Sequence, residues 1–367
     1  MAKYIYQYKD WPNFTWREDV VNQLFGEVRL LQGRLFGQLN AIGFHTKEET
    51  ILTNLTLDVV KSSEIEGESL DFNQVRSSIA RRLGFKTAGL VPSPRSVEGV
   101  VEMMLDATQR YQEPLTAERL FGWHAALFPT GYSGLYKIEV GQYRTGEMQI
   151  VSGALGKEKL HYEAIKAQDL TSEMDRFLNW LNANHTLDLV LKAAIAHFWF
   201  IIIHPFDDGN GRIARAITDL LLARSEGSTE RYYSLSGQIL QQRKEYYAVL
   251  QQVQHSKGDI TPWIVWFLNC LKEAMNSTEL LMQQILQKAN FWKHHEHTQI
   301  NERQRKMINL LFDGFEGKLQ SSKWAKITKC STDTALRDIK DLVEKGILQQ
   351  STEGGRSVHY ILLQPTA

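Results

Sequence analysis

The stretch "HPFDDGNGRIAR", residues 204–215, combines a histidine, two aspartates, a glycine-rich turn and two arginines. His204 is a residue type that can act as a general base near neutral pH. The carboxylate of Asp208 suits Mg²⁺ at a phosphate site. Arg212 and Arg215 are three residues apart, so they share one helix face, and their guanidinium groups match phosphate oxygens. The stretch therefore predicts a base, a metal ligand and a polyphosphate site close together.

Two helices must hold these residues in place. Pro205 disfavours the α conformation at His204, so the preceding apolar helix should end there. Gly209 and Gly211 permit a positive φ and a close approach of ligand to backbone. A second apolar helical pattern begins near Asn210, and the free N–H groups at such a helix start favour an anion. Cations placed at a helix N-terminus themselves indicate that an anion binds between them.

Residue chemistry leaves alternatives for this stretch. It contains no GK[ST] sequence and follows no strand, so it is neither a Walker loop nor a dinucleotide-binding turn. An ordinary helix–loop–helix turn with incidental charges is the simplest alternative, and the combination of residues disfavours it. Transfer of AMP and transfer of a phosphoryl group both stay open at this point.

The sequence "HPFDDGNGR" resembles the Fic family signature, HxFx(D/E)GN(G/K)R, with every defining position filled. The helical pattern over roughly residues 95–270 is similar to that family as well. The resemblance implies transfer of AMP from ATP to a hydroxyl group of a target protein, with His204 deprotonating the hydroxyl and Asp208 holding Mg²⁺ on the phosphates. It also implies that Phe206 fixes the loop, that Gly209, Asn210 and Gly211 form the anion site, and that Arg212 and Arg215 hold the phosphates.

Two more stretches are similar to parts of that family. "YRTGEMQIVSG" resembles the flap hairpin, here residues 148–161, which docks a target protein by strand addition through Gln149, Ile150 and Val151. "KEYYAVLQQ" resembles the tyrosine pair that closes over the nucleoside, here Tyr246 and Tyr247. For the tyrosines, the alternative is ordinary packing of aromatic side chains in the core.

The sequence "SSEIEG", residues 62–67, matches the pattern (S/T)xxxE(G/N) through Ser62, Glu66 and Gly67. In many Fic proteins this pattern belongs to an inhibitory helix whose glutamate pairs with the second arginine of the active site. That arginine is Arg215 here, and a guanidinium bound to a carboxylate cannot hold the γ-phosphate. The alternative is a plain helix end with a surface glutamate and a capping glycine.

The predicted fold class is mainly α: a Fic-type helical core with a small β-hairpin flap, followed by a winged helix-turn-helix domain. We expect helices over residues 17–42, 49–66, 168–183, 188–203 and 262–297, helix caps at Ser96 and Thr116, and a hairpin or loop within 131–162. The predicted domains are an N-terminal helical region (1–94) carrying the inhibitory helix, a catalytic core (95–298) and the winged helix (299–367). The last is only slightly basic, so protein interaction or dimerisation is favoured over DNA binding, and a homodimer stays open.

Bulk composition excludes several classes of protein. The 367 residues include 42 Lys and Arg against 42 Asp and Glu, so net charge does not indicate nucleic acid or membrane partners. Cys270 and Cys330 form no CxxC pattern, which suits a reducing compartment. No signal peptide and no apolar run of about 18 residues is seen, so a cytoplasmic location is predicted. Three further features are interpreted as structural: the "KHHEH" helix end (293–297), His197, and the tryptophans, including Trp11, Trp16 and Trp199, as core.

The sequence thus predicts an autoinhibited, Mg²⁺-dependent enzyme that transfers AMP from ATP to Ser, Thr or Tyr of target proteins or of itself. Removal of AMP by the same site, with Glu66 orienting water, stays open. One alternative is a nucleotide-sensing, DNA-binding regulator, which would not need a base at position 204. Another is a Fic variant that transfers a different phosphate group, for which lysine in place of Gly211 is the usual mark.

Overall fold

The computed structural model describes residues 3–41, 44–85, 89–152, 159–184, 186–312, 315, 317–351 and 358–363. It divides into two compact units, residues 1–279 and 280–367. The predicted domain limits at 94 and 298 stay predictions, and the division lies N-terminal to the second of them.

The first unit is built from helices, which confirms the predicted fold class. Their bounds are α1 (Glu18–Ala41), α2 (Phe44–Ile65), α3 (Phe72–Leu83), α4 (Arg95–Gln109), α5 (Ala117–Leu127), α6 (Leu170–Asn182), α7 (Leu189–Ile203), α8 (Asn210–Glu226), α9 (Leu235–Gln241) and α10 (Arg243–Val253). Helix α11 (Thr261–His294) begins in this unit and continues into the second. Helices α7 and α8 pack against each other and are buried along nearly their whole length. Apart from Lys192 and His197, helix α7 consists of apolar residues, as is typical of a helix in the middle of a core.

Of the two predicted helix caps, one is confirmed and the other is wrong. Thr116 caps α5, as predicted, because its side chain accepts a hydrogen bond from the N–H of Arg119. The prediction of Ser96 as the cap of α4 is wrong. The carbonyl of Pro94 already accepts from the N–H of Glu98 at 3.0 Å, so the helix begins at Arg95 and Ser96 lies inside its first turn.

The segment predicted as a hairpin or loop forms two antiparallel hairpins. Strand β1 (Tyr132–Ser133) pairs with β2 (Tyr136–Lys137), and β3 (Gln149–Ser152) pairs with β4 (Lys159–Glu163). In the second hairpin Ile150 lies opposite Tyr162, and the register shifts just after this pair. Residues 153–158 of the predicted flap lie outside the described residues.

The second unit contains α12 (Glu302–Phe312), α13 (Ser321–Thr328) and α14 (Thr332–Glu344), followed by the antiparallel strands β5 (Leu348–Gln350) and β6 (Tyr360–Leu362). Leu319 forms an additional bridge to Tyr360. A core around Trp324, Ile339 and Leu342 joins the three helices to Leu348 of the first strand. Three helices and a hairpin is the order that the sequence predicted, and the assignment as a winged helix stays a prediction.

Of the nine tryptophans predicted as core, five are only partly buried, namely Trp11, Trp16, Trp180, Trp266 and Trp292. Trp199 is 2% exposed, whereas Trp11 and Trp16 are half-buried. The indole N–H of Trp11 donates to Glu173 at 2.9 Å, so the ring lies at the edge of the aromatic core, beside Trp199. Within the described part of the chain, no helix is long and apolar enough to cross a membrane.

Candidate active site

The loop between α7 and α8 begins at His204, where the preceding helix ends as predicted. His204 is the C-cap of α7 and has a left-handed backbone, with φ 53° and ψ 59°. Its ring Nδ1 lies 3.2 Å from the carbonyl oxygen of Ile201. A carbonyl can only accept, so Nδ1 carries the proton and Nε2 is left as the basic nitrogen. Burial lowers the pKa of His204 to about 4, which keeps the imidazole neutral at physiological pH.

Asn210 and His124 hold the loop in shape. The Asn210 amide accepts from the N–H of Phe206 at 3.0 Å and donates to its carbonyl at 2.8 Å. The buried Phe206 ring stacks on His124, with centroids 4.3 Å apart. Because the N–H of Gly141 donates to Nδ1 of His124, Nε2 of that ring carries the proton and donates to the carbonyl of Asp208. The Asn210 side chain is therefore part of the loop scaffold, and only its backbone can serve the predicted anion site.

The start of α8 has the features of an anion site. Gly209 is its N-cap, with φ 80°, and a β-carbon there would lie 2.9 Å from the ring of Phe128. No side chain caps the first N–H groups of this helix, and such groups bind anions. Arg212 and Arg215 are 2% and 1% exposed. In the part of the chain that the structure describes, Arg212 Nε and Arg215 Nη1 have no hydrogen-bond partner, so each guanidinium keeps a donor for a ligand.

Asp208 fits the role predicted for it as a metal ligand. Its Oδ1 accepts from the N–H of Gly209 at 2.5 Å, and its Oδ2 accepts from the hydroxyl of Ser133 on β1. Among the described residues, no group of three or more His, Cys, Asp or Glu side chains could bind a metal. Mg²⁺ commonly takes one or two carboxylates and completes its shell with phosphate oxygens and water, so a single Asp208 suits it.

The predicted pairing of the inhibitory motif with the second arginine is present in the structure. Arg215 Nη2 lies 2.7 Å from Glu66 Oε1 and 2.8 Å from the carbonyl oxygen of Ser62. Arg215 Nε donates to the Ser62 hydroxyl at 2.8 Å. Ser62 and Glu66 of the motif thus both bind one buried guanidinium from a position about 150 residues away in sequence.

A second carboxylate, which the sequence analysis did not single out, holds the other arginine. Glu68 Oε2 lies 2.6 Å from Arg212 Nη1. The turn after α2 explains how both glutamates reach α8. Gly67 has a positive φ of 85°, which turns the chain back on the helix end. The N–H of Glu68 donates to the carbonyl of Ser63, and the N–H of Gly67 donates to the carbonyl of Glu64. This is a Schellman motif, with Gly67 as the C′ residue.

Helix α2 is attached to the rest of the unit just before this turn. Asp58 Oδ1 accepts from the hydroxyl of Ser234 at 2.8 Å and from the N–H of Ser236 at 2.9 Å, both at the start of α9. Asp58 is 4% exposed and lies one helical turn before Ser62. The anchor fixes the position from which Glu66 and Glu68 extend.

The two tyrosines predicted at the nucleoside differ in their surroundings. Tyr246 is 2% exposed, and its hydroxyl lies 3.0 Å from Nε2 of the buried His197. His197 Nδ1 lies 2.9 Å from the Thr218 hydroxyl, which donates to Ala214. Thr218 must therefore accept from His197, and His197 must accept from Tyr246. Tyr247 is 44% exposed and is the one of the pair that a ligand can contact.

On the flap, Gln149, Ile150 and Val151 are exposed, the last two by 37% and 47%. They are available to another strand, as strand addition requires.

Four residues of the site could not be found from the sequence. One of them is Arg144, which lies buried in the segment between β2 and β3. His124, Ser133, Glu68 and Arg144 were all missed because their contacts depend on residues far away in sequence.

Comparison with known proteins identifies the region around this loop. The sequence model described as the Fic/DOC family matches residues 114–222. Residues 114–222 form a Fic domain. Upstream of the Fic domain, residues 4–85, which include Ser62, Glu66 and Gly67, match a domain of unknown function (DUF4172).

Curated relatives and solved structures resemble the chain around its Fic domain. The protein adenylyltransferase Fic of Drosophila melanogaster is 37% identical over 123 residues, which is 32% of this chain and 23% of that protein. The namesake from Nematostella vectensis is 24% identical over 231 residues, 60% of this chain and 47% of that protein. The chain therefore matches less than half the length of these two relatives.

Among solved structures, a Fic family protein from Desulfovibrio desulfuricans G20 has a TM-score of 0.54 at 22% identity, covering 97% of this chain and 99% of that one. A Fic domain containing signaling protein from Bacteroides thetaiotaomicron has a TM-score of 0.51 at 18% identity, covering 72% and 98%. At these identities the likeness shows that the fold is shared.

Proposed function

We propose that this chain is a protein adenylyltransferase that moves AMP from ATP to a Ser, Thr or Tyr hydroxyl of a target protein or of itself. The observation that carries the proposal is the arrangement of one loop. A neutral His204 with a free Nε2 stands at its start, and two buried arginines with free donors follow its end. The resemblance of the Fic domain to proteins named adenylyltransferases supports the same reaction.

In the proposed reaction, Nε2 of His204 takes the proton of the target hydroxyl as its oxygen bonds to the α-phosphorus of ATP. The bond between that phosphorus and the oxygen bridging to the β-phosphate breaks, and pyrophosphate leaves. The N–H groups at the start of α8 and the guanidinium groups of Arg212 and Arg215 stabilise the charge on the phosphates. Mg²⁺ bound at Asp208 would neutralise part of that charge when present.

The proposal includes inhibition of the resting chain by the inhibitory segment, which we define as residues 62–68. Glu66 and Ser62 occupy two nitrogens of Arg215, and Glu68 occupies one of Arg212. Guanidinium groups committed to carboxylates cannot hold the β- and γ-phosphates in a productive pose. Removal of AMP by the same site, with Glu66 orienting water, stays open.

The proposed partner is a target protein whose extended segment adds to the exposed edge at Gln149, Ile150 and Val151. The alternative of a nucleotide-sensing regulator gains no support, because a sensor has no use for the free base nitrogen of His204. A role of the second unit in binding DNA or another protein, and a location in the cytoplasm, stay predictions.

The test uses ATP labelled at the α- or the γ-phosphate, with the wild type, Glu66→Gly, and Glu66→Gly combined with His204→Ala. We expect protein labelling from α-labelled ATP only, stronger in Glu66→Gly than in the wild type, and absent once His204 is replaced. Label transferred only from the γ-phosphate would exclude AMP transfer. Labelling that persists without His204 would exclude it as the base.

A further inference from the structure

Arg144 is a buried arginine that binds backbone carbonyls. It is 2% exposed. Its Nε donates to the carbonyl of His204 at 2.9 Å, its Nη1 to that of Gly146 at 2.7 Å, and its Nη2 to that of Ile165. Among the residues that the structure describes, no carboxylate lies within ion-pair distance of it. A charged side chain is costly to bury, so its three carbonyl partners must compensate for the water that it loses.

The contacts with the loop explain why an arginine is needed at this position. The carbonyls of His204 and Pro205 follow the last turn of α7, where a helix leaves acceptors without partners. Arg144 satisfies both, the first with its side chain and the second with its backbone N–H at 2.9 Å. A guanidinium carries five donors in a rigid plane, whereas a lysine ammonium is a single flexible point.

The other two carbonyls belong to the base of the flap hairpin. Gly146 precedes β3 and Ile165 follows β4, so the guanidinium joins both ends of the hairpin to the residue that carries the base nitrogen. Tyr162 on β4 makes a second connection, because its hydroxyl donates to the carbonyl of Ile202 at 2.6 Å. The hairpin and the end of α7 are therefore held together by side chains on either side of the flap.

We propose that Arg144 is a positioning residue that fixes the edge of hairpin β3–β4 relative to Nε2 of His204. This inference rests on the proposed function, in which the hairpin presents a target hydroxyl to that nitrogen. His204 has a left-handed backbone that a residue with a side chain adopts only when its surroundings impose it. The bond from Arg144 to its carbonyl is part of those surroundings. Reaction rates depend steeply on such placement, since an error of about 1 Å can cost about a hundredfold.

The experiment compares Arg144→Lys with its parent, both carrying Glu66→Gly to relieve inhibition. Transfer of α-label to the protein is measured against ATP concentration, and ATP affinity is measured separately by calorimetry. We expect the rate at saturating ATP to fall by about tenfold or more, because placement of the base against the hydroxyl is lost. ATP affinity should change by less than about twofold, because Arg144 touches none of the groups on α8 that hold phosphate.

Arg224→Lys is the matched control. Arg224 also donates to two backbone carbonyls, those of Tyr111 at 2.6 Å and Glu113 at 2.8 Å. It lies roughly 14 Å along α8 from Arg215, at 1.5 Å per residue. This control should lose thermal stability without losing the transfer rate. If Arg144→Lys and Arg224→Lys lose transfer rate and ATP affinity to the same extent, Arg144 is merely structural and the inference is overturned.

Tyr162→Phe keeps the inference testable if Arg144→Lys does not fold. It removes one hydroxyl from the second connection, and we expect the transfer rate to fall about two- to fivefold, as for the loss of one hydrogen bond. An unchanged rate in this variant, or in a folded Arg144→Lys protein, contradicts the inference. If the parent Glu66→Gly protein transfers no α-label at all, the proposed function fails instead.

Discussion

The carboxylate of Glu66 occupies the space that a side chain at position 211 would need. An ideal β-carbon built on Gly211 would lie 2.1 Å from Glu66 Oε1, the same oxygen that accepts from Arg215. A glycine at this point of the signature therefore serves two purposes. It leaves room at the start of α8 for a ligand, and it lets the inhibitory carboxylate approach.

Gly211→Ala should have opposite effects on stability in two backgrounds. In the wild type the new methyl group displaces Glu66 and leaves the buried Arg215 with fewer partners, so unfolding free energy should fall by about 1–3 kcal/mol. In Glu66→Gly the clash with the carboxylate is absent and only a contact of 3.3 Å with Arg215 Nη1 remains, so alanine should gain up to about 1 kcal/mol over glycine if that side chain shifts slightly. Urea unfolding of the four proteins measures both values. Effects of the same sign in the two backgrounds would contradict the geometry.

Glu68→Gln should relieve inhibition partly. Glu68 is 45% exposed, so its pair with Arg212 is solvent-screened and contributes at most about 1 kcal/mol, or about fivefold in rate. Glu66 is less exposed than Glu68, so its replacement by glycine should raise the transfer rate by about tenfold or more. Rates of transfer of α-label measure both. Glu64→Gln is the control, because Glu64 lies on the same turn but pairs with Lys61, and it should leave the rate unchanged.

The pH dependence of transfer follows from the neutral form of His204. Its pKa is lowered to about 4, mainly by burial, with Arg144 lowering it and Glu66 and Asp208 raising it. Because the base works unprotonated, the rate in Glu66→Gly should be level between roughly pH 5 and 7 and should fall about tenfold per unit below the pKa. A rate profile from pH 3.5 to 8 tests this. A decline that begins near pH 6.5 would show an ordinary histidine.

Stability should depend on pH through His197, which is fully buried and has its pKa lowered to about 3 by burial and by Arg215. Below about pH 6.5 the unfolded chain protonates this residue and the native state does not, so stability is lost as pH falls, by up to about 1.4 kcal/mol per unit.

His197→Gln should remove about one proton from the difference in proton binding between the unfolded and native states, so that slope becomes shallower. It should also lower the unfolding free energy at pH 7 by about 1–3 kcal/mol, because the connection between Tyr246 and Thr218 is broken. Unfolding free energies between pH 4 and 7 give both quantities. His297→Gln is the control, because that side chain is 93% exposed and its surroundings change little on unfolding. An equal change of slope in the two variants would contradict the assignment.

Local features of the fold were predictable from sequence. The end of α7 at His204 and the start of α8 at Asn210 follow from Pro205 and Gly209, which act on their neighbours in the chain. The contact between Glu66 and Arg215 was predicted from a resemblance, since spacing alone cannot bring together residues so far apart.

Other features depend on tertiary contacts that leave no pattern in the sequence. Arg144 and His124 bind backbone carbonyls, and any residue supplies a carbonyl, so no partner could be named in advance. Trp11 is another case of a tertiary contact without a sequence pattern. Its apolar ring predicts burial, but the hydrogen bond from its indole N–H to Glu173 holds the ring at the edge of the core.

Asp58 fixes the body of α2 to the start of α9, and the end of the helix beyond it binds Arg215 through Ser62. In the proposed inhibition, release of Arg212 and Arg215 requires movement of the segment from Ser62 to Glu68. That movement would expose Ser62, Ser63 and Ile65, which are fully buried, so it has a free-energy cost that a bound partner must offset. The inhibitory segment is thus the part of the chain whose movement would free Arg212 and Arg215. A ligand or partner that holds this segment away from α8 would activate the chain by stabilising the form in which Ile65 has left the core.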